Sequence, residues 1–225
     1  LSGVFVTGTG TEVGKTVVAA AIARTLAASG ASVAVFKPAV TGLDELPADG
    51  PESEPDHALL RRAAGSRQRD EEIAPYRYGP PASPHLAAAM AGEEVEPPRL
   101  VAAARAAAAG ADALVCEGVG GLLVPLCRNY LVRDLAAELA LPLVISAAPG
   151  LGTINHTLLT IEAARSVGLT VEAVVLTPWP GEPSPIEQSN QETIQALGGV
   201  PVETLPLLDL NAPETWPPMG RFRDI

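Results

Sequence analysis

The sequence predicts an α/β fold, a parallel sheet covered by helices on both faces, and three features carry the prediction. Short apolar runs rich in Val, Ile and Leu alternate with stretches of helix-forming composition along the chain. The runs are apolar almost throughout rather than at every second residue, as in strands buried on both sides. Residues 4–16, VFVTGTGTEVGKT, read as a strand, a glycine-containing loop and a helix start, an arrangement in which backbone N–H groups and a helix N-terminus cradle phosphate. The result is a P-loop NTPase-like fold with its ligand crevice at the carboxyl ends of the strands.

In chain order, strands are expected at 3–7, 32–37, 113–117, 142–147, 171–177 and 200–205, and helices at 14–29, 56–64, 84–91, 100–109, 131–140, 153–167 and 185–197. Residues 43–55, LDELPADGPESEP, are acidic and Pro-rich and read as a mobile flap after the second strand. Residues 65–84 read as irregular, and the tail 207–225 carries too many prolines for a long helix. No repeat recurs at a fixed period. A single domain spanning 1–225 is expected, since a chain of this length buries about 70% of its unfolded surface in one core.

Composition excludes several classes. Gly and Pro make up 43 of 225 residues and 47% of the chain is hydrophobic, which rules out a disordered or fibrous chain. With 15 Lys plus Arg against 26 Asp plus Glu, the net charge of −11 argues against nucleic acid as a partner. The longest uncharged stretch, 139–161, is broken by Pro142, Pro149, Gly150 and Gly152, so no membrane span is expected. The start LSGVFVTGTG lacks the basic region of a targeting peptide. Cys116 and Cys127 have no metal-type spacing and suit a reducing compartment, so the expected location is cytoplasmic.

The chemistry concentrates at the strand ends. Gly14-Lys15-Thr16 opens the first helix; Lys15 would reach the β and γ phosphates and Thr16 would ligate Mg²⁺. The strict spacing of such loops is missed by one residue, because Gly8 lies six positions before Gly14. Lys15 and Lys37 are the only lysines in a chain that otherwise uses arginine. Both fall after the first two strands, where a compact ammonium can fit among phosphate or carbamate oxygens as a planar fork cannot. Glu117 ends the run ALVCE before GVGG, and Asp56 ends the acidic loop; both could bind Mg²⁺, and Asp56 could equally cap the next helix. His57, His85 and His156 share no ligand spacing, so zinc is not expected.

Six motifs in one order, GTGTEVGKT (8–16), KPAVTG (37–42), DHALLRR (56–62), SPHLAA (83–88), CEGVGGLLVPL (116–126) and LGTINHTLLT (151–160), resemble dethiobiotin synthetase over nearly the whole chain. The resemblance implies a ligase that carboxylates 7,8-diaminopelargonate with CO₂. ATP or another nucleoside triphosphate then activates the carbamate for closure of the ureido ring. By that likeness Lys15 and Lys37 are catalytic, and Thr16, Asp56 and Glu117 hold Mg²⁺. Nucleotide contacts fall on Thr11, Glu12, Val13, Gly14, Lys15, Thr16, Val17, Thr177 and Pro206. Substrate contacts fall on Thr11, Lys37, Thr41, Gly118, Leu151, Gly152, Thr153, Ile154 and Asn155, the last five supplied across a homodimer interface. Family members commonly carry an asparagine where this strand reads VEAVVLTPWP and Thr177 stands. A partitioning-type nucleotide switch would need a lysine early in the loop, where Gly8-Thr9-Gly10-Thr11 stands, and a cobyrinate amidase would need a glutaminase domain.

Overall fold

A computed structural model of the chain describes residues 1–47 and 54–223. Its strands are β1 (Gly3–Gly8), β2 (Val33–Phe36), β3 (Ala113–Gly121), β4 (Pro125–Cys127), β5 (Tyr130–Leu131), β6 (Leu143–Ala147), β7 (Val171–Trp179) and β8 (Val202–Pro206). Six of them run parallel in one sheet in the order β2-β3-β1-β6-β7-β8, and β4 and β5 form a short antiparallel hairpin beside it. The helices are α1 (Lys15–Ala28), α2 (Asp56–Ala64), α3 (Asp70–Ile73), α4 (Pro84–Met90), α5 (Pro97–Ala108), α6 (Val132–Leu139), α7 (Thr153–Arg165) and α8 (Pro185–Gly198). No described helix is long and apolar enough to cross a membrane.

The strands alternate between two cores, as a period of two requires. Val4 and Val6 of β1 face α1, α2 and the tail, in a cluster with Ile22, Leu60, Val115 and Val144. Phe5 faces the opposite side, where Leu100, Leu114, Leu135 and Ile145 meet. Both sides pack against apolar clusters, which is why the runs lack polar alternation. Among its described residues the Pro-rich tail forms two short 3₁₀ turns, Pro213–Thr215 and Gly220–Phe222, and Trp216, Met219 and Phe222 are buried in the α1 core.

Central placement of β1 brings its neighbours close to its first residue. A Cβ on Gly3, at φ +129°, would lie 1.9 Å from the Leu114 carbonyl oxygen on β3. We expect Gly3→Ala to destabilise the fold by about 1–3 kcal/mol, read from equilibrium urea unfolding.

Two sequence expectations need correction, and a third falls partly outside the described residues. The run 65–84 is not irregular throughout: it contains α3, and its later part lies along the chain after β2. Lys37 N–H donates to Ile73 O at 2.8 Å, Val40 N–H to Tyr76 O at 2.9 Å, and Tyr78 N–H to Val40 O at 2.8 Å. The acidic flap expected at 43–55 begins with a 3₁₀ turn, Leu43–Glu45, anchored by Asp44 N–H to Gly79 O at 3.0 Å, while 48–53 lie outside the described residues. Finally, β3 runs on through Gly121, so Glu117 sits inside a strand rather than at its end.

Candidate active site

The loop between β1 and α1 wraps around its own lysine. The aliphatic chain of Lys15 crosses Gly8 so closely that a Cβ there would meet Lys15 Cδ at 2.9 Å and Val13 Cγ2 at 2.7 Å. The Lys15 ammonium donates to Gly10 O at 2.7 Å. Glu12 turns the loop in the left-handed conformation at φ +58°, and Gly14 follows at φ +77° as the N-cap of α1. From beneath, the Ser146 hydroxyl of β6 donates to Val13 O, and the Thr177 methyl occupies the space a Gly14 Cβ would need, 2.5 Å away. Small polar residues on two neighbouring strands thus support the loop, and Ser146 is a support that sequence reading missed.

Next to the loop, one ammonium bridges two carboxylates. Lys37, 4% exposed, donates to Asp56 Oδ2 and, at 2.7 Å, to Glu117 Oε1; the Thr16 hydroxyl donates to the same Glu117 oxygen at 2.9 Å. Among the described residues Glu117 Oε2 is buried without a partner. Burial opposes the charge on Lys37, but Asp56 and Glu117 outweigh it and hold the ammonium protonated above its ordinary range. Burial pushes the Glu117 carboxyl up despite Lys37, whereas Asp56, for which Lys37 outweighs burial, is held below the usual carboxylate range. Burial lowers Lys15, and Glu117 partly restores it. Asp56 is the first residue of α2, whose N-cap position is Pro55 and carries no side-chain cap, and its carboxylate accepts from Lys37.

These groups line one cleft of about 450 Å³ at the carboxyl ends of β1, β2 and β3. Thr11, Glu12, Gly14, Lys15, Thr16, Val17, Lys37, Thr41, Asp56 and Glu117 all face it. Gly118 does not: a Cβ there would strike Val132 and Phe5 of the core, and Val119 and Gly120 line the cleft instead. Val13 within the loop, Thr177 against Gly14, and Pro206 at the end of the edge strand β8 do not line this space, and residues 151–155 open α7 away from it, Leu151 being 97% exposed. Sequence reading also missed Leu46, Glu54, Leu59 and Leu210, which line the cleft too.

A family model described as "AAA domain" matches residues 2–210. The ATP-dependent dethiobiotin synthetase BioD of Anaeromyxobacter dehalogenans is 44% identical over 88% of this chain and 86% of its own length. That of Bacillus cereus is 42% identical over 90% of this chain and 81% of its own. The chain belongs to the dethiobiotin synthetase family. The membership places it among ATP-dependent enzymes. Two solved structures share the fold at low identity: the cell division protein FtsY of Thermotoga maritima (TM-score 0.51, 15% identity, 99% of this chain and 66% of that one) and the signal recognition particle 54 kDa protein of Aeropyrum pernix in complex with GDP (TM-score 0.53, 14% identity, 100% and 45%).

In this dethiobiotin synthetase-family cleft the oxygen donors suit a hard cation. Among the described residues no three His, Cys, Asp or Glu side chains converge as a metal-binding group. What converges is a hydroxyl, Thr16, with two carboxylates, Asp56 and Glu117, and the unpartnered Glu117 Oε2 leaves an acceptor to be satisfied. Magnesium takes one or two carboxylates and completes its shell with phosphate and water, so the set fits.

Proposed function

We propose that this chain is a dethiobiotin synthase: an ATP-dependent ligase that closes the ureido ring on 7,8-diaminopelargonate with CO₂, releasing nucleoside diphosphate and phosphate. The observation that supports it most is the convergence of both lysines of the chain with Thr11, Thr16, Thr41 and two carboxylates in one cleft. One substrate amine attacks CO₂, forming a carbamate and losing a proton to solvent. A carbamate oxygen attacks the γ-phosphorus, and the bond to the nucleoside diphosphate breaks. The second amine attacks the carbonyl carbon and gives up one proton to the departing phosphate or to solvent; the C–O bond breaks, and phosphate leaves with the carbamate oxygen.

The chain's part is positioning and charge stabilisation. Loop N–H groups and Lys15 would hold the β and γ phosphates, Lys37 the carbamate, and Thr11 and Thr41 its amine end. Magnesium on Thr16, Asp56 and Glu117 would neutralise phosphate charge. The test is formation of dethiobiotin from diaminopelargonate, bicarbonate and ATP by the purified chain; no product at any nucleotide would sink the reading.

Two finer expectations follow. Thr177 packs against Gly14 and offers one hydroxyl, followed by Pro178 without an N–H, so it cannot match both donor and acceptor on the adenine edge as an asparagine would. By analogy with base readers, a two-point hydrogen bond of that kind supplies about 1–3 kcal/mol of selectivity. Hence kcat/KM for CTP, GTP and UTP should fall within about tenfold of ATP, base contacts coming instead from backbone near Pro206. An ATP preference above about a hundredfold would show that another group reads adenine.

Residues 151–155 open α7 outside the cleft of their own chain, and N–H groups at that helix start suit a carboxylate. We expect a homodimer in which this segment of the second subunit receives the substrate carboxylate. Mixing inactive Lys15→Ala and Asn155→Ala chains should restore activity in heterodimers; no recovery despite measured subunit exchange would place each site within one chain.

A further inference from the structure

The Lys37 ammonium lies on Asp56 Oδ2 and Glu117 Oε1, the carboxylates assigned above to the metal, while the other cation of the cleft, Lys15, lies on a backbone carbonyl. We propose that Lys37 is the resident placeholder of the cation site: it occupies the two carboxylates before the metal arrives and is released from both when a divalent cation takes them. The inference rests on the metal reading of Thr16, Asp56 and Glu117.

The physical need is local. Two carboxylates sharing one ammonium, one of them fully buried, repel each other unless a cation stands between them. Glu117 is 0% exposed and keeps one oxygen unpartnered even with Lys37 in place, so the ammonium satisfies the site only in part. A lysine suits the part because its compact head sits on a flexible stem and can leave, whereas a guanidinium fork locks two oxygens in one plane. The chain places lysine only here and at Lys15. Release would make the Lys37 charge available to the carbamate only once the metal is bound, so that loading of the metal and arming of the carbamate cation become one event.

General electrostatics would make either lysine repel a metal; occupancy makes Lys37 alone compete for the same oxygens. Manganese(II) binding to nucleotide-free protein, followed by electron paramagnetic resonance, separates the two. Lys37→Met should bind manganese at least about tenfold more tightly than wild type, and Lys15→Met within about threefold of it. Equal tightening in both variants, or none in Lys37→Met, would overturn the proposal. Glu117→Gln tests the metal reading itself: it should lose the manganese site, and wild-type affinity there would remove the ground for both. Should Lys37→Met fail to fold, wild-type protein with ¹⁵N at lysine Nζ carries the test, since two lysines give two signals. Added magnesium should shift the Lys37 signal well beyond that of Lys15; an unmoved Lys37 signal at saturating metal contradicts release.

Discussion

Lys15→Ala is expected to lower kcat by roughly a hundredfold or more at saturating nucleotide, because it removes a cation from charge that develops on the transferring phosphoryl group. The ammonium is held in place by its own loop. It is 7% exposed, its stem is pressed across Gly8, and among the described residues its only hydrogen bond is to Gly10 O. Lys37 still pairs with Asp56 and Glu117 when Lys15 is removed, so neither carboxylate loses a hydrogen-bonded cation and the fold should survive, as circular dichroism and Tm would record. Turnover near wild type would show that another group carries the charge.

Lys37→Ala should match that loss of turnover and add a loss of stability. Removing one partner of a buried ion pair strands the other, at a cost of about 3–5 kcal/mol where burial is complete; Glu117 is completely buried, and Asp56 is half-exposed and relaxes into water. Combining Lys37→Met with Glu117→Gln should recover most of the lost stability in urea unfolding while kcat stays low. A double variant no more stable than Lys37→Ala would mean that Glu117 was not the stranded charge. The split matters, since it separates what Lys37 does for the fold from what it does for the reaction.

Much of this architecture was legible in the residues because burial on both faces writes itself into the strands. LVISA, VFVTG and VEAVVL can hardly be anything but interior strands, and the observed boundaries of β1, β6 and β7 lie within two residues of those expected. The hairpin at Pro125–Cys127 and Tyr130–Leu131 and the single turn Asp70–Ile73 were not read, because elements of two to four residues show no period and depend on what they pack against. The continuation of β3 through Gly-Val-Gly-Gly was hidden by its glycines, which ordinarily end a strand.

The same division runs through the site. Lys15, Thr16, Lys37 and Glu117 could be found because each follows or ends an apolar run, and topology brings those ends together. Leu46, Glu54 and Leu210 could not: they reach the cleft from the acidic loop and the tail, where no pattern says which residue turns inward. Asp56 shows the limit from the other side. A carboxylate at a helix start reads equally as cap or ligand, and its pairing with Lys37, nineteen residues away in the chain, is not written in any local pattern.

Activation of a carbamate by phosphoryl transfer leaves an oxygen signature that labelling can read. Purified chain is supplied with diaminopelargonate, ATP, magnesium and freshly dissolved C¹⁸O₂, and the phosphate released in the first turnovers is examined by mass spectrometry. The account predicts one ¹⁸O in each phosphate and one phosphate per dethiobiotin formed, because the carbamate oxygen that attacks the γ-phosphorus leaves with it when the ring closes. Phosphate carrying only solvent oxygen, with CO₂ still unexchanged, would contradict the account and make the cleft a hydrolase of nucleotide rather than a ligase.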